Sequence, residues 1–333
     1  MADTYTQVKD INVNITTAVA AGSLGLGYPL VIQGMASKEV AYKECNSLQD
    51  VLAAGFETTT EVYKACATIF SQKKKPKTVA VAASTGKVAE WLIANGTNGF
   101  RQVVPLLGEA DSTLAELVAA VSALDNKMLF LQVATTEELP ATQSERVVAV
   151  VYGKTGYANA AVVGASAGLA AGSFTYKNLI LTGIEAEAKT PSEVEEIHTA
   201  GAMCILKKAG DIVTSEGKTT DGEYIDIVDS KDYIINNIVY KGQKLLNNND
   251  KLSFDNVGIS QLENVVTGVL ADAFTQGIIA ANEDGTAAYS TSFASRADTS
   301  ASDRAARTYN GGNFSFDLAG AIHNATINGT IEV

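Results

Sequence analysis

Two histidines, three cysteines and one tryptophan in 333 residues leave little of the side-chain chemistry on which active sites are built. A serine-type triad would have to use His198 or His323. His198 falls near the end of a short helical stretch and His323 lies in the strand-like C-terminus, and no nucleophile elbow accompanies either. Cys45, Cys66 and Cys204 are odd in number and lack metal-ligand spacing. They read as small buried residues of a reducing compartment, not as a disulfide framework. No apolar run reaches the roughly 18 residues that a membrane helix needs. The start, MADTYTQVKD, has no cationic segment followed by an apolar core, so no secretory signal is expected. Positive charge is also short. Lys and Arg number 25 against 37 Asp and Glu, a net charge of -12, which argues against nucleic acid or an anionic membrane as main partner. The expectation is a soluble chain, made and folded in the cytoplasm.

Other sources of chemistry are equally thin. The loop Gly22–Gly27 (GSLGLG) has neither the GxGxxG order nor GxxxxGK[ST], and it precedes the first apolar run instead of following it. The basic run Lys73 to Lys77 reads as a solvated turn after a helix. Asp221, Asp226, Asp229 and Asp232 match no calcium-loop spacing and read as solvated turn acids. The chain is therefore read as a non-enzyme without cofactor or metal, built from surfaces and not around a pocket.

What is present is patterning. From Ala325 onward the C-terminus alternates: Ala325, Ile327, Gly329, Ile331 and Val333 in one row, Thr326, Asn328, Thr330 and Glu332 in the other. That is the period of a strand with one apolar face. Such a strand pairs either within its own domain or with the edge of another copy's sheet. Near the N-terminus Ile11, Val13 and Ile15 alternate with Asp10, Asn12, Asn14 and Thr16. Glycines adjoin both segments, Gly22, Gly25 and Gly27 after the first and Gly311 and Gly312 before the second, and suit joints between arm and body. Arg296, Arg304 and Arg307 gather near the last arm and suit intersubunit salt contacts better than anion catalysis.

Between the arms, short apolar runs alternate with helical patterns. The runs are Pro29–Gly34, Val79–Ala83, Val103–Leu107, Met128–Ala134, Val147–Tyr152 and Leu179–Thr182. Stretches such as VVAVVY show no polar alternation, as expected of strands covered on both faces. Asp111–Thr113 and Thr190–Ser192 carry helix-capping chemistry. After about residue 205 the texture changes. Tyr224–Ile227 alternates like a hairpin, Ser230–Asn247 and Gln261–Ile279 read as helices, and Asn282–Asp303 reads as a long loop or mobile segment. The fold class is α/β: a mostly parallel sheet layered with helices, plus a smaller α+β C-terminal domain and strand arms at both termini. The expected division is an N-terminal arm over 1–21, an α/β domain over 22–205, an α+β domain over 206–312 and a C-terminal arm over 313–333.

Several segments, in order, resemble the tail sheath proteins of contractile bacteriophage tails and R-type bacteriocins. They are EVYKACATIFSQKKKPKTVAVAAS, then NLILTGIEAEAKTPSEVEEIHTAGAMCIL with GKTTDGEYIDIVDSKDYIINNI, and last RTYNGGNFSFDLAGAIHNATINGTIEV. The Thr219–Gly222 turn and the Asp232–Ile234 stretch carry most of the likeness. The resemblance implies rings stacked around an inner tube, with each subunit's arms entering neighbouring sheets. It implies self-association, a tail tube partner, and baseplate and terminator proteins. It also implies assembly in a bacterial cytoplasm into a virion tail or bacteriocin-like particle, and contraction that drives the tube through an envelope. The rival reading is a soluble α/β enzyme or small-ligand protein with a pocket at the C-terminal ends of its parallel strands. A tail tube subunit fits less well, because tubes are mainly antiparallel β.

Overall fold

A computed structural model describes residues 26–323, with 109 and 125 excepted, together with Ala325. The first half runs β1 (Tyr28–Gln33), β2 (Val40–Cys45), α1 (Leu48–Ala53), α2 (Glu61–Phe70), β3 (Val79–Ala83), α3 (Val88–Asn95), β4 (Phe100–Leu106) and α4 (Leu114–Ser122). Next come β5 (Met128–Val133), β6 (Val147–Val151), α5 (Ala158–Ser166), α6 (Pro191–Thr199), β7 (Met203–Lys208) and β8 (Asp211–Thr214). The remainder is α7 (Ile225–Asn247), α8 (Asn256–Thr275), β9 (Tyr289–Phe293), α9 (Ala301–Ala306) and β10 (Gly312–Phe316).

The non-alternating runs VAVAA and VVAVV become β3 and β6, buried along their whole length. They sit inside one sheet of order β2-β3-β1-β4-β5-β6-β7-β8. The six inner strands are parallel, and β2 and β8 close the edges antiparallel. Alternate side chains serve two cores. Val31, Val81, Val104, Phe130 and Val148 pack under α2 and α5, while Leu30, Ile32, Ala80, Val103 and Leu129 pack under α3 and α4. The capping residues act as expected. Thr113 and Thr190 each close a capping box, with Glu116 and Glu193 respectively, and Pro191 opens its helix.

Four stretches differ from their sequence pattern. Leu179–Thr182 makes only a bridge from Ile180 to Val213, because Asn178 (φ 61°) and Gly183 (φ 75°) bend the chain on either side. Of Tyr224–Ile227 only Tyr224 pairs as in a hairpin, in an antiparallel bridge to Lys218, and the rest is the entry to α7, where Ile225 and Val228 turn into the main core. Asn282–Asp303 is not a structureless loop. Its Ser/Thr-rich residues include β9, in which Tyr289, Thr291 and Phe293 are half-buried and the serines face out. Residue 205 falls inside β7, and the sheet continues through Thr214, so the sheet layer outlasts the apolar runs that announced it.

The second layer is built on α7 and α8. Tyr233 and Ile234 from α7 meet Val266, Val269, Leu270 and Ala273 from α8, with Ile278, Phe293, Phe316 and Leu318 completing the cluster. Antiparallel β9 and β10 form a separate two-stranded sheet beside α8.

One glycine sets the spacing of the main layer. A Cβ on Gly164 of α5 would lie 2.7 Å from both the Ile69 Cα and the Ile69 carbonyl oxygen of α2. Gly164→Ala is expected to lower unfolding free energy by about 1–3 kcal/mol through overpacking. Urea midpoints at unchanged slope measure this. A stabilised variant, as helix propensity alone would give, would mean that α2 and α5 separate freely.

Candidate functional site

The place to look for a ligand in a parallel sheet is where connections leave adjacent strands in opposite directions. Here that is between β1 and β4, and a cavity of about 370 Å³ lies there, lined by Gln33, Glu61, Leu106, Gln132, Tyr157 and Asn159. Four of its polar side chains, those of Gln132, Asn159, Tyr157 and Glu61, are engaged. The Ala158 amide donates to Gln132 Oε1 (2.6 Å), Gln132 Nε2 donates to the Gly156 carbonyl (2.9 Å), and Asn159 Nδ2 donates to the Phe130 carbonyl (2.9 Å). The Tyr157 hydroxyl donates to Glu61, whose pKa is lowered by Lys64 and then by Tyr157. Gln132 and Asn159 thereby hold the N-terminal turn of α5 in place.

His198 ends α6, as its position suggested, and its Nε2 lies 2.9 Å from Ser215 Oγ. That serine is buried and already accepts from the Cys204 amide (2.9 Å). Burial lowers the imidazole's pKa. The pair braces α6 against β7 and β8. The three cysteines are buried, and burial raises their thiol pKa values, that of Cys45 to about 11. Among the described residues no group of three His, Cys, Asp or Glu side chains could hold a metal, and no helix is long and apolar enough to cross a membrane.

The acids read as solvated turn residues are the main correction. Asp221 is exposed, but Asp229 and Asp232 are buried on α7. They face Arg101, a fully buried arginine on β4. Arg101 Nη2 donates to Asp229 Oδ1 (2.5 Å) and Nη1 to Asp232 Oδ2 (2.6 Å). Arg146, just before β6, makes a two-pronged pair with Asp232 (2.5 and 3.0 Å), and the Tyr176 hydroxyl donates to Asp229 Oδ2 (3.1 Å). Sequence pattern hid this cluster because Asp229 and Asp232 look polar on a helix. The one available signal was Arg101, two residues ahead of the apolar run that starts at Val103. Burial works against the guanidinium's charge, and the two carboxylates more than offset it, so its pKa is raised.

The residues expected to join copies are distributed as follows. Ile11, Val13, Ile15, Gly22, Gly25, Ile327, Ile331 and Val333 lie outside the described residues, and Ala325 is exposed. Gly27 (φ 86°) leads into β1, and a Cβ there would strike the Gly99 carbonyl oxygen. Gly311 and Gly312 are not a free joint. Gly312 opens β10 and pairs with Phe293, and its missing Cβ makes room for the Phe293 ring. Residues 313–316 thus belong to the chain's own small sheet. Arg296 donates through Nε to the Phe254 carbonyl (2.9 Å), and Arg304 through Nη1 to the Thr299 carbonyl and hydroxyl. Arg307 ends α9 in a left-handed conformation and is exposed. Among the described strands, β9 and β10 have only each other as neighbours, so each presents an unpaired edge.

No protein-family model and no curated protein matches the sequence. Solved structures do. The helical sheath of the anti-feeding prophage in its contracted state matches with a TM-score of 0.70 at 12% identity, over 98% of this chain and 100% of that one. The contracted sheath complex of the extracellular contractile injection system PVC gives 0.70 at 10% identity, over 100% and 99%. The chain has the contractile sheath fold. A sheath tail protein from Listeria innocua matches at 0.59 and 13% identity, over 83% and 91%. At such identities the likeness is one of fold, and it spans both the α/β layer and the α7–α8 layer. Within this sheath fold, the Arg101 cluster is where the two layers meet.

Removing one partner of a buried ion pair strands the other in low dielectric. Arg101→Met is expected to cost about 3–5 kcal/mol, with part recovered by adding Asp229→Asn. Equal midpoints for Arg101→Met and the wild type would disprove a paired interior. For Asp232, burial acts to raise the pKa, but Arg146 and then Arg101 hold it below the ordinary range. Its stabilisation is therefore complete above the unfolded value of about 3.9 and is lost as pH falls through the lower folded value. Urea titrations on the acid side should show this loss in the wild type and a smaller one in Asp232→Asn.

Proposed function

We propose that the chain is the structural subunit of a contractile sheath, polymerising around an inner tube and shortening to drive it through a target envelope. The observation that carries this reading is end-to-end correspondence with subunits of contracted sheaths, covering 98–100% of this chain and 99–100% of those. At the strand ends, where the rival enzyme reading would place its pocket, Gln132 and Asn159 bond the backbone around the start of α5, which favours the sheath reading over it.

In this proposal the partners are other copies of the chain, a tail tube protein, and baseplate and terminator proteins. Assembly takes place in a bacterial cytoplasm, as part of a phage tail or a released bacteriocin-like particle. The strand-patterned ends, Ile11, Val13 and Ile15 on one and Ala325, Ile327, Ile331 and Val333 on the other, add to the open edges of a neighbour's β9–β10 sheet. Gly22, Gly25 and Gly27 let the N-terminal arm turn, and Gly320 (φ 63°), not Gly311 or Gly312, bends the chain where the C-terminal arm leaves the small sheet. Arg307, exposed beside the small sheet, remains free to meet a neighbouring carboxylate. Cross-strand pairs contribute about 0.2–1 kcal/mol each, so linkage and drive come from summation over many copies, with no nucleotide consumed.

Electron microscopy of concentrated purified protein tests this directly. Hollow tubes or stacked rings, wide enough to admit an inner tube, are the expected outcome. Ile327→Asp, or deletion of the last nine residues, is expected to leave a folded monomer that does not polymerise. Loss of the fold in either variant would place that strand in the subunit's own core and end the arm proposal. Failure of the wild type to assemble on a purified tail tube would end the sheath reading.

A further inference from the structure

Among the described residues beyond Gly320, the C-terminal tail returns to the body at His323. After β10, Asp317 donates to the Ala288 carbonyl (2.9 Å), Leu318 bridges Ile279, and Ala319 donates to the Ile278 carbonyl (2.9 Å). Gly320 then turns the chain, and Ala321 and Ile322 stand exposed, Ile322 at 89%. Under this span lies a cavity of about 280 Å³, lined by Thr175, Asp226, Ser230, Ile278, Leu318 and Gly320. The tail crosses it like a bridge and does not fill it.

The far pier of that bridge is His323. Its side chain is only 12% exposed, directly after two residues in solvent. Nε2 lies 2.9 Å from Thr175 Oγ1, the ring meets Tyr224 edge-on at 5.0 Å, and Nδ1 lies 4.0 Å from Glu216 Oε1. Asp226, at the start of α7 two residues beyond Tyr224, has a buried Oδ1 with no hydrogen-bond partner among the described residues. Two lysines complete the surroundings: Lys177 on Glu216 (3.6 Å) and Lys218 over the Tyr224 ring (4.9 Å). Thr175 follows α5, Glu216 follows β8, and Tyr224 and Asp226 open α7. All three segments border the sheet layer, whereas β10 and Leu318 belong to the α7–α8 layer.

We propose that His323 is a latch that seats the C-terminal tail on the sheet layer, among Thr175, Glu216, Tyr224 and Asp226, and so sets the point from which the residues beyond it depart. The latch stands on this geometry alone. Its consequence, that the C-terminal arm is aimed at a neighbour before contact, rests on the sheath reading. Pre-aiming a segment removes part of the ordering entropy that association would otherwise cost. One hydrogen bond and one edge-on ring contact correspond to roughly tenfold in the opening equilibrium.

The test uses full-length chain carrying Ala325→Cys and a nitroxide spin label, the native cysteines being buried. His323→Ala is expected to sharpen the label's spectrum, reporting a freed tail, and Thr175→Val to do so less. A spectrum unchanged by His323→Ala overturns the latch, whatever the chain's assembly. For the aiming step, the critical concentration for polymers is expected to rise about tenfold in His323→Ala. A mobile label with an unchanged critical concentration overturns the aiming while leaving latch and sheath reading standing. A wild type that never polymerises, even on a tail tube, overturns the sheath reading and the aiming, and the spectra still decide the latch.

Discussion

A guanidinium with no access to water governs how the two layers meet. Arg101 is fully buried on an inner strand, where even with Asn126 accepting from it an unpaired charge would be prohibitively costly. It is tolerable only because α7 presents Asp229 and Asp232 at hydrogen-bond distance, with Arg146 sharing the second carboxylate. The pairing therefore dictates where α7 lies. Such a cluster contributes less to net stability than to uniqueness of arrangement, since apolar residues of similar volume would pack there at no greater cost. Helix α7 has no freedom to slide along the sheet, because every alternative position leaves charge unpaired.

That constraint propagates along an unbroken helix. Ile225 and Val228, just ahead of the acids, pack into the main core, and Tyr233 and Ile234, just after them, pack with α8. The second layer therefore hangs on the same 23-residue rod that the ion cluster pins to the sheet. Any force applied to β9 and β10 through their open edges would reach the sheet layer through α7.

Chemical silence has a structural counterpart. The cavity at the strand ends occupies the position where parallel sheets hold ligands, yet Gln132 and Asn159 spend their hydrogen-bonding capacity on the entry to α5. The His198–Ser215 pair likewise acts as a brace between buried groups.

Much of this was legible in the residues. Unalternating valine-rich runs could only be inner strands, and Thr113 and Thr190 with glutamates three residues on could only be helix starts, because strand periodicity and capping act over a few neighbouring residues. Other features were not legible. Val40–Cys45 carries lysine and glutamate, and it is a strand only because β3 offers an edge. The Ser/Thr run of β9 becomes a strand only against β10 and α8. Asp229 and Asp232 read as solvated because nothing within a helical turn reveals that Arg101, 128 and 131 positions away, waits inside the sheet. Short-range order was thus determined by the sequence itself, through local sterics and hydrogen bonding. Which edges pair, which charges are buried and where the tail is seated were decided only by tertiary structure, because each depends on partners that are distant in the chain and adjacent only in the fold.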